Sequence, residues 1–192
     1  MTKTVHLIRH GQSTFNAIHD STGHDPLIYD APLSALGHQQ VAKARQAYAG
    51  HAYDIVFTSP LTRAIQTAKG IFGTNAPMIV NASHSEWANW SCNMGRPASE
   101  LARDFPDLDF SHLTEDWWHK GGPINTYGIP CEPLDSLLAR VASFRALIAA
   151  RPERKIAIVG HGDFFYHLTR RAMANCERAV MPDHVAEFRA AN

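Results

Sequence analysis

The sequence predicts a layered α/β fold built on a largely parallel sheet. Three observations carry that expectation. Short apolar runs alternate along the chain with longer segments whose apolar residues recur at helical spacing. The runs at residues 4–8 and 155–159 read as buried strands. Three clusters of polar residues follow directly on strands, at the carboxyl edge where sheets of this kind bind ligands.

The elements follow in order from local signals. Residues 4–8 form the first strand. Ser34 is placed to cap a helix running to about Ala49, with Val41, Ala44 and Tyr48 on one face. Residues 53–58 are a second β-rich run. Ser59-Pro60 then reads as a helix start, serine as N-cap and proline at the first helical position. That helix carries Leu61, Ala64, Ile65 and Ala68 and stops near Gly70 or Gly73. Residues 78–81 are a weaker strand. Leu134, Leu137, Leu138, Val141, Phe144 and Ile148 mark an amphipathic helix. The strand at 155–159 leads into Gly160-His161-Gly162 and a helix with Phe165, Leu168 and Ala172, and the last twenty residues carry no clear element. Residues 1–192 are expected to form one domain. Within it, residues 82–131 hold all four tryptophans and little periodicity, and read as an insertion over the sheet edge.

Lys+Arg and Asp+Glu both number 18, so the formal net charge is zero. This gives no support for a nucleic-acid or membrane-surface partner, each of which is usually marked by a basic excess. An anionic substrate must therefore be held by a local cluster of positive groups. No apolar run reaches the 18 residues of a membrane span, and the short apolar N-terminal stretch runs into Arg9-His10, unlike a signal-peptide core. Cys92, Cys131 and Cys176 are odd in number, far apart and without a Cys-x-x-Cys pair, so a reducing cytoplasm is expected. Nothing in the sequence speaks to oligomeric state.

The first polar cluster is Arg9-His10-Gly11, followed by Gln12, Ser13 and Asn16. Neutral imidazole is a competent nucleophile toward phosphorus, and a flanking guanidinium can grip two phosphate oxygens. Gly11 lets the backbone approach closely. The second cluster runs from Thr58 to Ala64 and puts Arg63 in the first turn of a helix. A cation there opposes the helix dipole, a cost that a bound phosphate would offset. The third is Gly160-His161-Gly162-Asp163, a second histidine before a helix N-terminus, itself an anion site. Taken alone, each cluster also reads as an ordinary strand-to-loop transition or a solvated arginine; together they do not.

The ordered motifs resemble those of the histidine phosphatase superfamily, the phosphoglycerate mutase-like proteins. The matching residues are His6-Leu7-Ile8-Arg9-His10-Gly11-Gln12-Ser13 with Asn16, then Leu33-Ser34 with Gly37, then Thr58-Ser59-Pro60-Leu61-Thr62-Arg63-Ala64 with Gln66-Thr67-Ala68, and finally Val159-Gly160-His161-Gly162. The resemblance implies a three-layer α/β/α sandwich acting on a small phosphorylated substrate, with no metal and no cofactor. By the same resemblance His10 is phosphorylated during turnover, and Arg9, Arg63 and His161 surround the phosphoryl group. Asn16 assists, and Ser13 and Gly162 join the phosphate-binding set. The acid that protonates the leaving oxygen usually follows the third strand in this family, which matches Glu86; Asp163 is the runner-up. Phosphoglycerate mutases carry a longer basic and tyrosine-bearing segment after that glutamate. This chain reads Trp87-Ala88-Asn89-Trp90-Ser91-Cys92-Asn93-Met94-Gly95-Arg96 instead, which favours hydrolysis over transfer.

Other classes fit less well. A cysteine phosphatase needs arginine six positions after its cysteine, where this chain has Ala98, Leu137 and Pro182. A metallohydrolase would show a His-Glu-x-x-His or His-x-His set, and none is present. A catalytically silent binding protein on the same fold would have lost the nucleophile or an arginine. Trp117-Trp118-His119-Lys120 is expected either to contact the substrate or to close a small subsidiary core.

Overall fold

A computed structural model describes residues 3–182. The expected domain limits at 1 and 192 lie outside the described residues, as do positions 183–192 of the C-terminal stretch without a clear element. Five strands, β1 (Thr4–Arg9), β2 (Ile55–Thr58), β3 (Met78–Val80), β4 (Lys155–Gly160) and β5 (Arg178–Val180), form one sheet in the order β3-β2-β4-β1-β5. All pairings are parallel except that of β5 with β1.

Successive residues of a strand face opposite sides of the sheet, and the two faces carry separate cores. On one side Val5, Leu7, Ile55, Phe57, Ile156 and Ile158 meet Leu137, Val141, Phe144 and Ile148 of helix α5 (Leu134–Ala150). Phe164, Phe165 and Leu168 of α6 (Gly162–Thr169) join the same core. On the other side Ile8, Val56, Ala157 and Val159 meet Val41 and Ala44 of α2 (Ala35–Tyr48). Ala64, Ala68, Ile71 and Phe72 of α3 (Thr62–Phe72) complete that layer. The result is the three-layer sandwich expected.

Several boundaries differ from expectation. Helix α3 starts at Thr62, not at Ser59-Pro60. Its first amide is taken by the carboxylate of Asp30 (Thr62 N to Asp30 Oδ1, 2.8 Å), while Ser59 only accepts from Leu61 N at 3.3 Å. Helix α6 ends at Thr169 because Arg170 turns left-handed (φ 63°), so Ala172 is exposed and Met173 enters the core instead. The β2 run begins at Ile55 and the β3 run ends at Val80. A helix α1 (Thr14–Thr22) follows Ser13, which caps it. Residues 82–131 contain a short helix α4 (Ala98–Asp104), whose Ala98 and Leu101 pack with Ile65, Val80 and Phe110.

Candidate active site

Parallel register brings the polar clusters together. Arg9 pairs with Gly160 across β1 and β4, and His10 N–H donates to Gly160 O (2.9 Å). The two His-Gly turns thus leave the sheet side by side, with the His10 and His161 rings 5.2 Å apart. Ser59 N–H donates to Val159 O (3.2 Å), which sets the start of α3, and Arg63 in its first turn, beside them. Arg9, His10, Ser13, Asn16, Arg63, Glu86, Gly162 and Asp163 line one cavity of about 310 Å³. His161 lies buried against His10, fully out of solvent.

His10 is held in one tautomer. Its Nδ1 is 2.7 Å from Gly11 O, a carbonyl that can only accept, so Nδ1 carries the proton. Nε2 then presents its lone pair, to which Arg63 Nε donates at 3.2 Å. Burial, Arg63 and Arg9, in that order, hold the His10 pKa well below 6.5, so the ring is a neutral imidazole at ordinary pH.

Burial first, then Arg63, holds the His161 pKa well below 6.5, so that ring is neutral as well, and the positive groups around His10 are its two arginines. Arg63 is 2% exposed and donates only to neutral acceptors: His10, Cys92 O (2.7 Å) and Asn93 Oδ1 (2.9 Å). Arg9 Nη1 donates to Met173 O (2.7 Å), but among the described residues neither its buried Nε nor either ring nitrogen of His161 has a partner. Unpaired buried polar atoms are costly, and the Arg9 Nε–H and the one N–H of the neutral His161 ring are donors that a bound oxyanion would satisfy. Gly162 makes room for Arg9, since a Cβ there would stand 3.2 Å from Arg9 Nε.

Glu86 sits across the cavity and accepts from three backbone amides: Trp87 and Phe164 on Oε1 (3.0 and 2.9 Å) and Asp163 on Oε2 (3.2 Å). It therefore caps α6, whose own N-cap His161 offers no side-chain bond. Burial and the Asp163 carboxylate nonetheless raise its pKa above the usual carboxyl range. The pKa of Asp163 is raised too, by desolvation. Asn16 Oδ1 accepts from Ser13 N and Oγ in the cap of α1, and the residue lines the cavity. The Ser13 hydroxyl is engaged in that cap.

Sequence reasoning missed the residues that hold these groups in place. Asn93 receives Arg63 and donates in turn to Trp87 O and Asn89 Oδ1. Asn175 Nδ2 donates to His10 O (2.8 Å), and Thr67 Oγ1 accepts from Gly11 N (3.1 Å). Asp30 ties the first turn of α3 to Arg96 (2.9 Å). Of these only Thr67 lay within a recognised motif; the others belong to segments without periodicity.

Fold and site together define an α/β protein in which two histidines and two arginines converge beyond the carboxyl ends of β1, β2 and β4. The family model of the histidine phosphatase superfamily (branch 1) matches residues 5–184, and the chain belongs to that superfamily. It is 29% identical to a phosphoglycerate mutase-like protein of Arabidopsis thaliana, over 91% of this chain and 76% of that protein. An uncharacterized phosphatase of Bacillus subtilis, PhoE, is 27% identical over 82% of this chain and 71% of its own. The alpha-ribazole phosphatase of Shigella flexneri shares the fold, with a TM-score of 0.62, 20% identity, and coverage of 92% of this chain and 89% of that one. No helix among the described residues is long and apolar enough to cross a membrane.

Proposed function

We propose that this chain is a metal-independent phosphatase that hydrolyses small phosphomonoesters through a phosphohistidine at His10. In the first step His10 Nε2 attacks phosphorus, the ester P–O bond breaks, and the leaving oxygen takes a proton from Glu86. In the second, water attacks phosphorus and gives a proton to the Glu86 carboxylate; the P–N bond breaks and His10 is restored. Arg9, Arg63 and His161 carry the charge of the transferring group, with Asn16 and the Gly162 turn at its edge. The observation that carries this reading is the neutral His10, whose Nε2 bears no proton of its own and accepts from Arg63, beside the unpartnered donors of Arg9 and His161.

Hydrolysis is favoured over mutase transfer because residues 87–94 carry no charged side chain to retain a phosphoglycerate. Residues 82–131 would serve as the cap of a single domain. Three unpaired cysteines suit a cytoplasmic setting. The test is His10→Ala, which abolishes turnover, together with rapid quenching of the wild type on substrate. Acid-labile, base-stable phosphate then maps to His10. Substantial activity in His10→Ala refutes the mechanism.

A further inference from the structure

Behind Glu86 lies a second, smaller cavity of about 210 Å³. Glu86 and Asn93 belong to the walls of both cavities, so the two chambers adjoin at the residue assigned to the leaving oxygen.

Its lining is selective. Trp117 and Trp118 stand edge to face, with ring centres 5.7 Å apart. On the same wall the Ser85 hydroxyl, in a residue only 8% exposed, has no hydrogen-bond partner among the described residues. The buried carboxylate of Glu132 accepts from Ser136 Oγ (3.0 Å) and twice from Arg140 (2.8 and 2.6 Å). Arg140, the one arginine on that wall, has every N–H engaged: two by Glu132, the others by the carbonyls of Ser83, Ser85 and Glu86. An apolar face with a few placed hydroxyl-matching groups suits a ring or chain bearing hydroxyls. A carboxylate or second phosphate would meet a buried acid there and no uncommitted guanidinium.

We infer that this chamber receives a neutral, hydroxylated alcohol, a sugar or polyol, as the leaving portion of the substrate, and rejects anionic ones. The inference rests on the phosphatase reading above. Its test is kcat/KM for ribose 5-phosphate, pentyl phosphate and 3-phosphoglycerate, with wild type, Ser85→Ala and Trp118→Ala. Wild type is expected to prefer the ribose ester over the pentyl ester by about tenfold, the size of one net hydrogen bond, with 3-phosphoglycerate last. Both variants are expected to narrow the ribose-to-pentyl ratio, which is internal to each preparation and so unaffected by the fraction folded. Equal rates on ribose and pentyl esters, a ratio unchanged in both variants, or 3-phosphoglycerate in the lead would overturn the inference. Nitrophenyl phosphate separates the two readings. Hydrolysis of it through His10 with no ribose preference leaves the phosphatase standing and removes the chamber. If no ester is hydrolysed the phosphatase reading falls, and tryptophan fluorescence decides the chamber: saturable quenching by ribose 5-phosphate, weakened in Ser85→Ala, supports it, and no quenching removes it.

Discussion

Replacing Glu86 by glutamine tests the proton donor and the helix cap at once. Glutamine keeps the size of the side chain but cannot deliver the proton, and it offers one acceptor oxygen where the carboxylate offers two. Whichever way the amide turns, its NH2 faces either Asp163 N–H or the pair from Trp87 and Phe164. An unsatisfied buried amide costs about 1–3 kcal/mol. The net loss of stability is smaller than that, because the amide also relieves the repulsion from Asp163 that helps raise the Glu86 pKa. The kinetic effect is the larger. General acid assistance contributes about 10²–10⁴-fold, and it is needed most by a strongly basic alkoxide. Glu86→Gln should slow phosphorylation of His10 by an alkyl phosphate within that range, and by nitrophenyl phosphate much less, as read in the pre-steady-state burst. The pH profile carries the sign. His10 must be neutral, so the acid limb lies well below 6.5; the acid must be protonated, so the alkaline limb lies above the ordinary carboxyl value of 4.5 and vanishes in the variant. Equal slowing of both substrates, or a surviving alkaline limb, means Glu86 is not the donor. If Asp163→Asn then abolishes that limb, the role passes to Asp163.

Three further outcomes are expected. Gly162→Ala places a Cβ 3.2 Å from Arg9 Nε while Arg9 is anchored to Met173 O, so kcat/KM should fall by roughly tenfold with the melting temperature nearly unchanged; an unaltered kcat/KM shows that Arg9 is not positioned by this turn. His84 is buried against Phe144 and its pKa is lowered to about 3, whereas the unfolded chain takes up that proton near 6.5. Stability is therefore lost as pH falls from 6.5 toward 3, by up to ~5 kcal/mol, and urea unfolding of His84→Asn should show a shallower decline; parallel curves refute this. Dialysis against a chelator should leave the rate unchanged, and a loss restored by one particular divalent ion would replace the proposed mechanism with a metal-assisted one.

Strands β1 to β4 and helices α2, α3 and α5 were legible because buried faces leave apolar runs and periods in the chain. The start of α3 was not, since its capping carboxylate, Asp30, lies 32 positions upstream. Helix α1 carries the signal of Ser13 followed three residues later by Asn16, but its His19-Asp20-Ser21-Thr22 end has no apolar stripe to announce it. Strand β5 buries only Ala179 of its three residues, so it leaves no apolar run, and it pairs along the edge of β1. In the site, residues on strand ends were legible because motif and position coincide there. Asn93 and Asn175 were not, because each acts through a partner 30 and 165 positions away.

The neutral cage of Arg63 has a further consequence. Most buried arginines are matched by a carboxylate that cancels their field; this one is matched by a ring nitrogen, a carbonyl and an amide oxygen. Its charge acts on the Glu86 carboxyl group in the same cavity and on any oxyanion that enters. For an enzyme of the proposed kind, the grip that draws in the ester also holds the inorganic phosphate left behind, so affinity and turnover pull against each other. Rising phosphate in the surrounding solution would then act as a brake without any separate regulatory site.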